Sequence, residues 1–401
     1  MKLCIFTSMI YPVPAVKGGA VEGLIELLIN ENEKYHKMDI TVVSIYDVEA
    51  KKESDKYKYT KFIYVKRSSV WDKFWSKKVF LYLNKVAIKL KGKTIVSMPF
   101  LKKAWKQVKE EEFDRYVVEG GGDSYNFGFL MKKIPKEKLY IHYHGEVCGN
   151  EYLNNMFGKH IAVSNYIARK LICNGKIDSK NVDVLPNCFD AGSMVSTVDR
   201  ELIRKKYSIK KTEFVFVYWG RILPEKGVLE LLKAFNIVAR KNVNVKLLII
   251  GNATFGKSSC SKYDKKLKII VNSNMLKDKV VFTGFIPHSH IGNILSASDA
   301  GIIPSIWDDP APLTVFEGMS KGLPLIAAQA GGIPEIIKDG ENGILVRWSK
   351  EYTICLAKEM QGLIIDKEKR KRISENALLS VNQYNSDIYY NNYVNLVSVY
   401  E

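Results

Sequence analysis

The residues of this 401-residue chain that could do chemistry gather in short polar segments that follow apolar runs. One such segment, residues 219–227, holds Gly220, Arg221 and Lys226 between a β-rich run and a helix-period stretch. Glycine allows the backbone to approach a ligand, and Arg and Lys side chains bind phosphate oxygens. The segment therefore predicts a phosphate-binding loop, although two cations in a surface loop are also common without a ligand.

A second segment, residues 304–319, runs from the end of a predicted strand into a predicted helix. Pro312 suits the first helical position, which leaves the N–H groups of residues 313–315 without partners inside the helix. Such a helix start binds phosphate, and the carboxylates of Asp309 and Glu317 could accept hydrogen bonds from sugar hydroxyls. The alternative is that Asp309 is an ordinary loop residue and that Glu317 lies on a solvated helix face.

The N-terminal half has weaker candidates. Residues 17–22 place two adjacent glycines between the first apolar run and a helix, as in a phosphate loop, but without the spacing G-x-G-x-x-G. His142 and His144 end a predicted strand on the same side, because strand side chains alternate, and His144 is closer to the strand end. The alternative is a structural histidine, which is the commoner case for a histidine in such a position. Residues 119–123 lie at the end of another predicted strand and include three glycines, which do not indicate a particular ligand.

The elements that must position these segments are read from short apolar runs that alternate with helical stretches. Strands are predicted at 2–7, 39–44, 115–119, 139–143, 160–163, 182–185, 213–219, 245–250, 280–283, 300–304, 323–328 and 343–346, with helices that include 20–35, 164–174 and 228–241. This alternation predicts an α/β chain with parallel sheets that are covered on both faces.

The same pattern predicts two doubly wound, Rossmann-like domains that face one another across a cleft. They span residues 1–190 and 205–380, and the polar stretch 190–208 is the expected linker. A final helix, about 380–401, is expected to pack back on the first domain. Ligands of open α/β sheets bind at the carboxyl ends of the strands, so the cleft is where we expect the chemistry.

Charge is distributed unevenly along the chain. Lys and Arg number 61 against 43 Asp and Glu, a net charge of +18, and residues 51–110 hold 18 of the basic but only four of the acidic residues. The centre of that segment mixes aromatic and basic side chains: Trp71, Trp75, Lys77, Lys78, Lys85 and Lys89. Such a surface suits an anionic membrane, which we predict as a partner in preference to nucleic acid. The alternative is a solvated lysine-rich face whose aromatic residues belong to the core.

Several classes of protein are disfavoured by composition and by missing motifs. Hydrophobic residues at 46% and charged residues at 26% are ordinary for a globular chain, and no apolar run is long enough to span a membrane. The six cysteines are scattered, which together with the lack of a signal peptide predicts a cytoplasmic location. The triplet D-x-D and the motifs H-E-x-x-H and G-x-S-x-G are absent, which disfavours metal-dependent transfer of the single-domain type, zinc proteolysis and serine esterase chemistry.

Taken together, the segments resemble a retaining GT-B glycosyltransferase of glycosyltransferase family 4. The resemblance covers nearly the whole chain and depends on the order and spacing of many short blocks. These blocks are Gly18-Gly19 with Glu22, residues 162–164, residues 185–187, Gly220-Arg221 with Lys226-Gly227, Asp309 to Glu317, residues 322–324 and residues 331–335.

The resemblance implies roles for individual residues. Arg221 and Lys226 would neutralise the donor diphosphate, and Glu317 would accept hydrogen bonds from the ribose hydroxyls. Asp309 would contact the transferred sugar, and His144 would lie near its 6-position. The implied donor-binding positions are Gly18, Gly19, Gly220, Ala311, Leu313 and Thr314. No metal and no other cofactor is expected, since the two cations would supply the charge.

Two positions depart from the family pattern. Asp309 stands where the family has Glu and is one methylene shorter, so its reach to the sugar hydroxyls differs. Pro312 stands where the family usually has Gly, and proline has no N–H to donate.

The implied reaction transfers a hexosyl unit from a UDP-linked donor to a lipid-linked glycan, at the inner face of the membrane, in cell-surface polysaccharide biosynthesis. Alternatives are a soluble sugar or small-molecule acceptor and a non-catalytic protein that binds sugar nucleotides. A dinucleotide-dependent oxidoreductase is disfavoured because residues 17–22 lack the third glycine of its motif.

Overall fold

The computed structural model describes residues 1–8, 10–66, 86, 99–120, 130–145, 155–190, 192–252, 262–273 and 276–398. The chain divides into two compact units. Unit 1 comprises Met1–Asn187 and Ser386–Glu401, and unit 2 comprises Cys188–Asn385. The residues predicted to contact a membrane, Trp71, Trp75, Lys77, Lys78, Lys85 and Lys89, lie outside the described residues.

The described strands of unit 1 form one seven-stranded parallel sheet of order β3-β2-β1-β4-β5-β6-β7. The strands are β1 (Lys2–Phe6), β2 (Asp39–Ile45), β3 (Thr60–Val65), β4 (Arg115–Gly120), β5 (Leu139–Tyr143), β6 (Lys159–Ala162) and β7 (Val182–Val184). The helices between them include α1 (Ala20–Tyr35), α2 (Val48–Ser54), α3 (Pro99–Val108) and α4 (Asn165–Cys173).

The sequence explains these elements locally. Four of the five residues of β1 are buried, as expected for a strand covered on both faces. Helix α4 begins where Ser164 accepts a hydrogen bond from the Ile167 N–H, at 3.3 Å. Strand β3 was not predicted, because it lies in the lysine-rich segment and only its end residues, Thr60 and Val65, are fully buried.

The described strands of unit 2 form a six-stranded parallel sheet of order β10-β9-β8-β11-β12-β13. The strands are β8 (Phe214–Trp219), β9 (Val245–Ile250), β10 (Val280–Gly284), β11 (Ala300–Ile303), β12 (Leu325–Ala328) and β13 (Ile344–Val346). The helices are α5 (Arg200–Lys206), α6 (Val228–Lys241), α7 (Lys262–Ser273), α8 (His288–Ser296), α9 (Leu313–Ser320), α10 (Ile333–Ile336), α11 (Tyr352–Ile365) and α12 (Lys367–Val381).

Both units confirm the prediction of doubly wound, Rossmann-like parallel sheets. In unit 1 the strand order reverses at β1, whose neighbours are β2 and β4, and in unit 2 it reverses at β8, whose neighbours are β9 and β11. Helices from opposite faces of the sheet diverge at such a switch point and leave a crevice at the carboxyl ends of the two strands. The fold therefore directs attention to the loops after β1 and β4 and to those after β8 and β11.

The last helix, α13 (Ser386–Ser398), belongs to unit 1. It packs along α1, where the Tyr390 hydroxyl donates a hydrogen bond of 2.7 Å to the side-chain oxygen of Asn32. Tyr389, Tyr390 and Tyr393 of this helix are all buried. Among the described residues, no helix combines the length and the apolar character that crossing a bilayer requires.

The predicted linker over residues 190–208 is wrong. Unit 2 already begins at Cys188, and α5 lies inside the stretch. The Arg204 guanidinium of α5 is buried and donates a hydrogen bond of 3.1 Å to the Ala297 carbonyl oxygen. The helix gave no apolar period because a buried arginine, rather than a row of apolar residues, forms much of its inner face.

Candidate functional site

The switch point of unit 2 brings together the two segments that the sequence singles out. Gly220 follows β8 with a φ of 141°, and Gly251 follows the neighbouring strand β9 with a φ of 127°. A Cβ atom on Gly251 would lie 1.9 Å from the Gly220 carbonyl oxygen, so the two strand ends approach as closely as glycine allows. Both backbone conformations favour glycine over any other residue.

The loop with the predicted phosphate cations rests on the loop that follows β11. A Cβ atom on Gly227, whose φ is 71°, would lie 1.9 Å from the Pro304 carbonyl oxygen. The Ile306 N–H also donates a hydrogen bond of 2.9 Å to the Glu225 carbonyl oxygen. These contacts are between backbones, so they fix the two loops against each other, and they require glycine at position 227.

Lys226 and Asp309 form an ion pair across these two loops, with Nζ and Oδ2 2.5 Å apart. The Asp309 side chain is 8% exposed and that of Lys226 19%. Gly331 lies behind the aspartate, where a Cβ atom would come within 2.1 Å of the Asp309 carbonyl oxygen. Asp309 therefore lies in a loop, as the alternative held, but it is buried and paired, unlike an ordinary loop residue.

An indole ring completes the surroundings of Lys226. Its Nζ lies 5.3 Å from the centre of the Trp307 ring, within the range of a cation–π contact. The Trp307 indole nitrogen is buried and has no hydrogen-bond acceptor among the described residues. The ammonium group is thus held by an aromatic face and a carboxylate at once.

Arg221 differs from Lys226 in its surroundings. Its side chain is exposed, and its guanidinium takes part in no ion pair among the described residues. Its backbone is anchored, because the Tyr218 hydroxyl donates a hydrogen bond of 2.6 Å to the Arg221 carbonyl oxygen. Burial raises the pKa of Tyr218, so this hydroxyl keeps its proton as a donor. Of the two predicted phosphate cations, Arg221 is therefore unpaired among the described residues, with an anchored backbone, and Lys226 is paired.

Glu317 lies in α9 and is 6% exposed, so the alternative of a solvated helix face is wrong. The Trp219 indole N–H donates a hydrogen bond of 2.7 Å to Oε2, and Nε2 of His288 lies 2.9 Å from Oε1. The hydrogen bond to Glu317 raises the pKa of His288. An ionised carboxylate has about four lone-pair sites, so two remain for a ligand.

The start of α9 differs from its prediction in one detail. Pro312 is the N-cap rather than the first helical residue, and the Val315 N–H donates to the Pro312 carbonyl oxygen at 3.1 Å. The expectation of an unpaired Val315 N–H is therefore wrong. The N–H groups of Leu313 and Thr314 have no acceptor among the described residues, and Ala311 is buried beside them. Such a helix start attracts anions.

In unit 1, the two predicted glycines lie in the loop between β1 and α1. Gly18 and Gly19 have φ values of 76° and 113°. A Cβ atom on Gly19 would come within 2.1 Å of an oxygen of the Glu22 carboxylate. The Ser8 hydroxyl donates a hydrogen bond to the other oxygen, and burial raises the pKa of Glu22. The loop therefore presents partly exposed backbone next to a buried carboxylate.

His144 is part of a buried cluster at the ends of β4 and β5. Glu119 and His142 are direct register partners in these strands, and His144 follows two residues later on the same side. Nε2 of His144 lies 2.6 Å from Oε2 of Glu119. Nδ1 of His142 lies 3.0 Å from the same oxygen but does not have hydrogen-bond geometry.

The charges of this cluster are coupled. Burial by itself would raise the pKa of Glu119, but His142 and His144 together lower it to about 2. Burial lowers the pKa of His144, with His142 acting in the same direction and Glu119 opposing. The ligand atoms of the three side chains lie within 4.8 Å of one another, close enough to hold a metal ion. Their separations of 2.6 and 3.0 Å are equally those of neighbouring polar atoms that share a proton.

Several residues of these two sites were not predicted. Trp219 and His288 bind the Glu317 carboxylate, and Trp307 faces Lys226. Only Trp219 had a signal, because it ends the strand directly before Gly220. His288 is separated from Glu317 by 29 residues, and no spacing rule connects them.

The sequence that follows β9 contains a further motif, which was not predicted from the sequence. Gly251 is followed by four residues and then by Gly256-Lys257-Ser258, which is the spacing of a P-loop. Residues 253–261 lie outside the described residues. The motif is short enough to occur by chance, and it makes ATP a ligand that must be tested.

Comparison with known proteins agrees with this geometry. Residues 199–379, all within unit 2, match the family model described as glycosyl transferases group 1. Spore coat protein SA from Bacillus subtilis (strain 168) is 26% identical over 389 residues, which cover 94% of this chain and 93% of the relative. An Escherichia coli protein named UDP-Gal:alpha-D-GlcNAc-diphosphoundecaprenol alpha-1,3-galactosyltransferase is 28% identical over 172 residues, 42% of each chain.

Among solved structures, HepE from Anabaena in complex with UDP and glucose superposes with a TM-score of 0.75 at 20% identity, covering 99% of each chain. The chain therefore has the GT-B fold, and its unit 2 carries the group 1 glycosyltransferase match.

Proposed function

We propose that this chain is a retaining, metal-independent glycosyltransferase of glycosyltransferase family 4 that transfers a hexosyl unit from a UDP-sugar to a lipid-linked glycan. The observation that carries the proposal is the arrangement in unit 2, where the Lys226–Asp309 ion pair lies in the loops before α9 and Glu317 is a buried carboxylate within that helix. This arrangement lies inside the stretch that matches the group 1 family. It combines groups for a diphosphate with carboxylates for sugar hydroxyls.

In the proposed mechanism, unit 2 stabilises the leaving nucleoside diphosphate. Arg221 and Lys226 bind its oxygens, and the N–H groups of Leu313 and Thr314 add the positive end of a helix. Preorganised charge of this kind stabilises negative charge as it develops in the transition state. Gly220 allows the backbone after β8 to approach the nucleotide.

The Lys226–Asp309 ion pair gives this mechanism a specific first step. In the free protein Asp309 neutralises Lys226. Donor binding brings two negative phosphates to Lys226, and Asp309 then becomes free to accept hydrogen bonds from the transferred sugar. Glu317 needs no such exchange, because Trp219 and His288 use only one site on each of its oxygens. It would bind the ribose hydroxyls with the remaining sites.

Unit 1 is proposed to contribute Gly18, Gly19 and His144 to the donor sugar and its diphosphate, and to bind the acceptor. The proposed lipid-linked acceptor is supported by the printed name of the Escherichia coli relative and by the aromatic, basic sequence 71–93. An anionic membrane would attract each nearby lysine by about 1 kcal/mol.

The donor is tested by thermal melting with UDP, GDP, ADP, TDP, NAD and ATP, each with and without EDTA. A ligand at 100 times its dissociation constant should add about 2.7 kcal/mol to stability. A shift with UDP that EDTA leaves unchanged is expected, and hydrolysis of a UDP-hexose with the sugar's anomeric configuration retained, read by proton NMR, would complete the result. A shift with NAD or ATP alone would contradict the proposal.

The acceptor is tested by flotation with anionic liposomes. We expect the fourfold substitution of Lys77, Lys78, Lys85 and Lys89 by Ser to reduce binding while UDP-sugar hydrolysis persists. The matched control replaces four exposed lysines of unit 2, Lys205, Lys206, Lys210 and Lys211, and removes the same charge. Equal losses in both variants would indicate a non-specific charge effect, and no binding by the unchanged chain would favour a soluble acceptor.

A further inference from the structure

Glu119 is a buried carboxylate that has His142 and His144 as neighbours. Glu119 is 2% exposed, and its ion pairs within the described residues are both with histidines. A carboxylate buried to this degree remains ionised only where neighbours donate to it or carry positive charge. The two histidines therefore stabilise the ionised form of the buried Glu119 carboxylate.

The direction of the hydrogen bond follows from the chemistry of the two groups. An ionised carboxylate can only accept, so the hydrogen between Glu119 and His144 must lie on Nε2 of the imidazole. In a neutral imidazole only one ring nitrogen carries hydrogen, which leaves Nδ1 with its lone pair. A second proton on His144 is opposed by its burial and by the ring of His142, whose centre is 4.1 Å away.

We propose that Glu119 is a positioning residue that holds His144 as the neutral Nε2–H tautomer, so that Nδ1 accepts a hydrogen bond from a sugar hydroxyl. The hydrogen bond to a sugar hydroxyl rests on the proposed function, whereas the tautomer of His144 does not depend on it. The inference also defines a substrate class, because an acceptor nitrogen on a ring that is held by the buried Glu119 carboxylate favours a neutral hexose over a hexuronate. A second buried carboxylate, Glu22, also acts on the charge of His144.

Helix α13 adds a buried group to this arrangement. The Tyr393 hydroxyl is buried and has no hydrogen-bond partner among the described residues, and burial together with the nearby Glu119 carboxylate raises the pKa of Tyr393 far above its usual value. The tyrosine thus remains protonated next to the carboxylate. The groups that face His144 or its partner are then Glu22 from α1, Glu119 from β4, His142 from β5 and Tyr393 from α13.

The tautomer is measured directly by NMR on the full chain labelled with ¹⁵N-histidine. The six histidines are few enough to assign with single substitutions. The expected result at pH 7.5 is an Nε2–H signature for His144. Glu119→Gln removes the charge and lets the amide accept or donate, so both tautomers should appear. An Nδ1–H or doubly protonated His144 in the unchanged protein would overturn the proposal, as would one equivalent of tightly bound metal detected by elemental analysis.

Kinetics supply the second test. Glu119→Gln should lower kcat for UDP-hexose turnover by about tenfold, the value of one oriented hydrogen bond, with KM changed by less than about threefold. The acid limb of the pH profile should move to lower pH, because the carboxylate no longer attracts a proton to His144. A role limited to stability would leave that limb unmoved and would overturn the proposal.

Controls separate the possible failures. As a stability control, Tyr390→Phe removes a buried hydroxyl from α13, the helix of Tyr393, where Tyr390 donates to Asn32 and not to the Glu119 cluster; it should change the melting temperature without moving the pH profile. If the unchanged protein turns over no sugar nucleotide, the proposed function fails while the NMR result still decides the tautomer. If it turns over donor and Glu119→Gln matches it at every pH, the positioning role alone fails.

Discussion

Replacing Lys226 by methionine should damage both stability and catalysis, whereas the same change at Arg221 should damage catalysis alone. The two cations have the same proposed target, but only Lys226 is paired in the free protein. Methionine keeps much of the length and apolar stem of both side chains while it removes the charge. Lys226→Met leaves the Asp309 carboxylate buried without its partner.

The size of the effect follows from the burial of the pair. Removing one partner of a fully buried ion pair costs about 3–5 kcal/mol. Because Lys226 keeps 19% of its side-chain surface in water, we expect a smaller loss of about 2–3 kcal/mol. In a unit of nearly 200 residues, 1 kcal/mol corresponds to about 2–4 °C, so the melting temperature should fall by about 4–12 °C. Arg221→Met should stay within about 0.5 kcal/mol of the unchanged protein.

The assay is a double-mutant cycle read by melting temperature and by kcat/KM for UDP-hexose turnover. Lys226→Met with Asp309→Asn should recover most of the lost stability, because no buried charge remains unpaired. It should recover no activity, since removal of one transition-state contact costs about 10²–10³ in rate. A Lys226→Met protein that melts normally, or a double variant that regains activity, would refute this account of the pair.

Two further predictions concern unit 2. Gly227→Ala should lower the stability measured in thermal melts by about 1–3 kcal/mol, because the new Cβ atom would lie 1.9 Å from a backbone carbonyl oxygen. Gly362→Ala in α11 is the control: a Cβ atom there has open space around it, and the substitution should raise stability by about 0.5–1 kcal/mol. His288 has a pKa raised by its hydrogen bond to Glu317, so its contribution to stability is complete below its unfolded pKa of about 6.5 and is lost as pH rises through the folded value. His288→Gln should therefore reduce the fall in melting temperature above pH 6.5, and an unchanged slope would count against this pairing.

The pattern of apolar residues was sufficient to predict most strands, because the buried strands are continuous apolar runs. Strands β8 and β9 were predicted at or within one residue of their observed bounds, since all six residues of β9 and five of β8 are buried. The same rule failed at β3 and α5, whose inner faces include partly exposed or charged residues. A pattern of apolar residues cannot show an element that is buried by polar contacts.

The sequence indicated which residues form the site, but not which of them contact one another. Lys226 and Asp309 were both singled out, but they are 83 residues apart, and their pairing depends on β8 and β11 being neighbours in the sheet. The pairing of Glu119 with His142 likewise depends on the register of β4 against β5. Side-chain alternation could place His142 and His144 on one side, but strand register is a property of the assembled sheet.

The charged residues at the two switch points differ, and this difference supports different proposed roles for the two units. In unit 1, Lys17 precedes the two glycines but is engaged by Glu49 of α2, and the buried groups of the site, Glu22 and Glu119, are acidic. Lys17 is therefore paired rather than free at this crevice. A diphosphate bound there can receive backbone N–H groups but little charge. In the proposed mechanism, the leaving group therefore depends on Arg221 and on the release of Lys226, while the carboxylates of unit 1 suit the hydroxyls of a sugar.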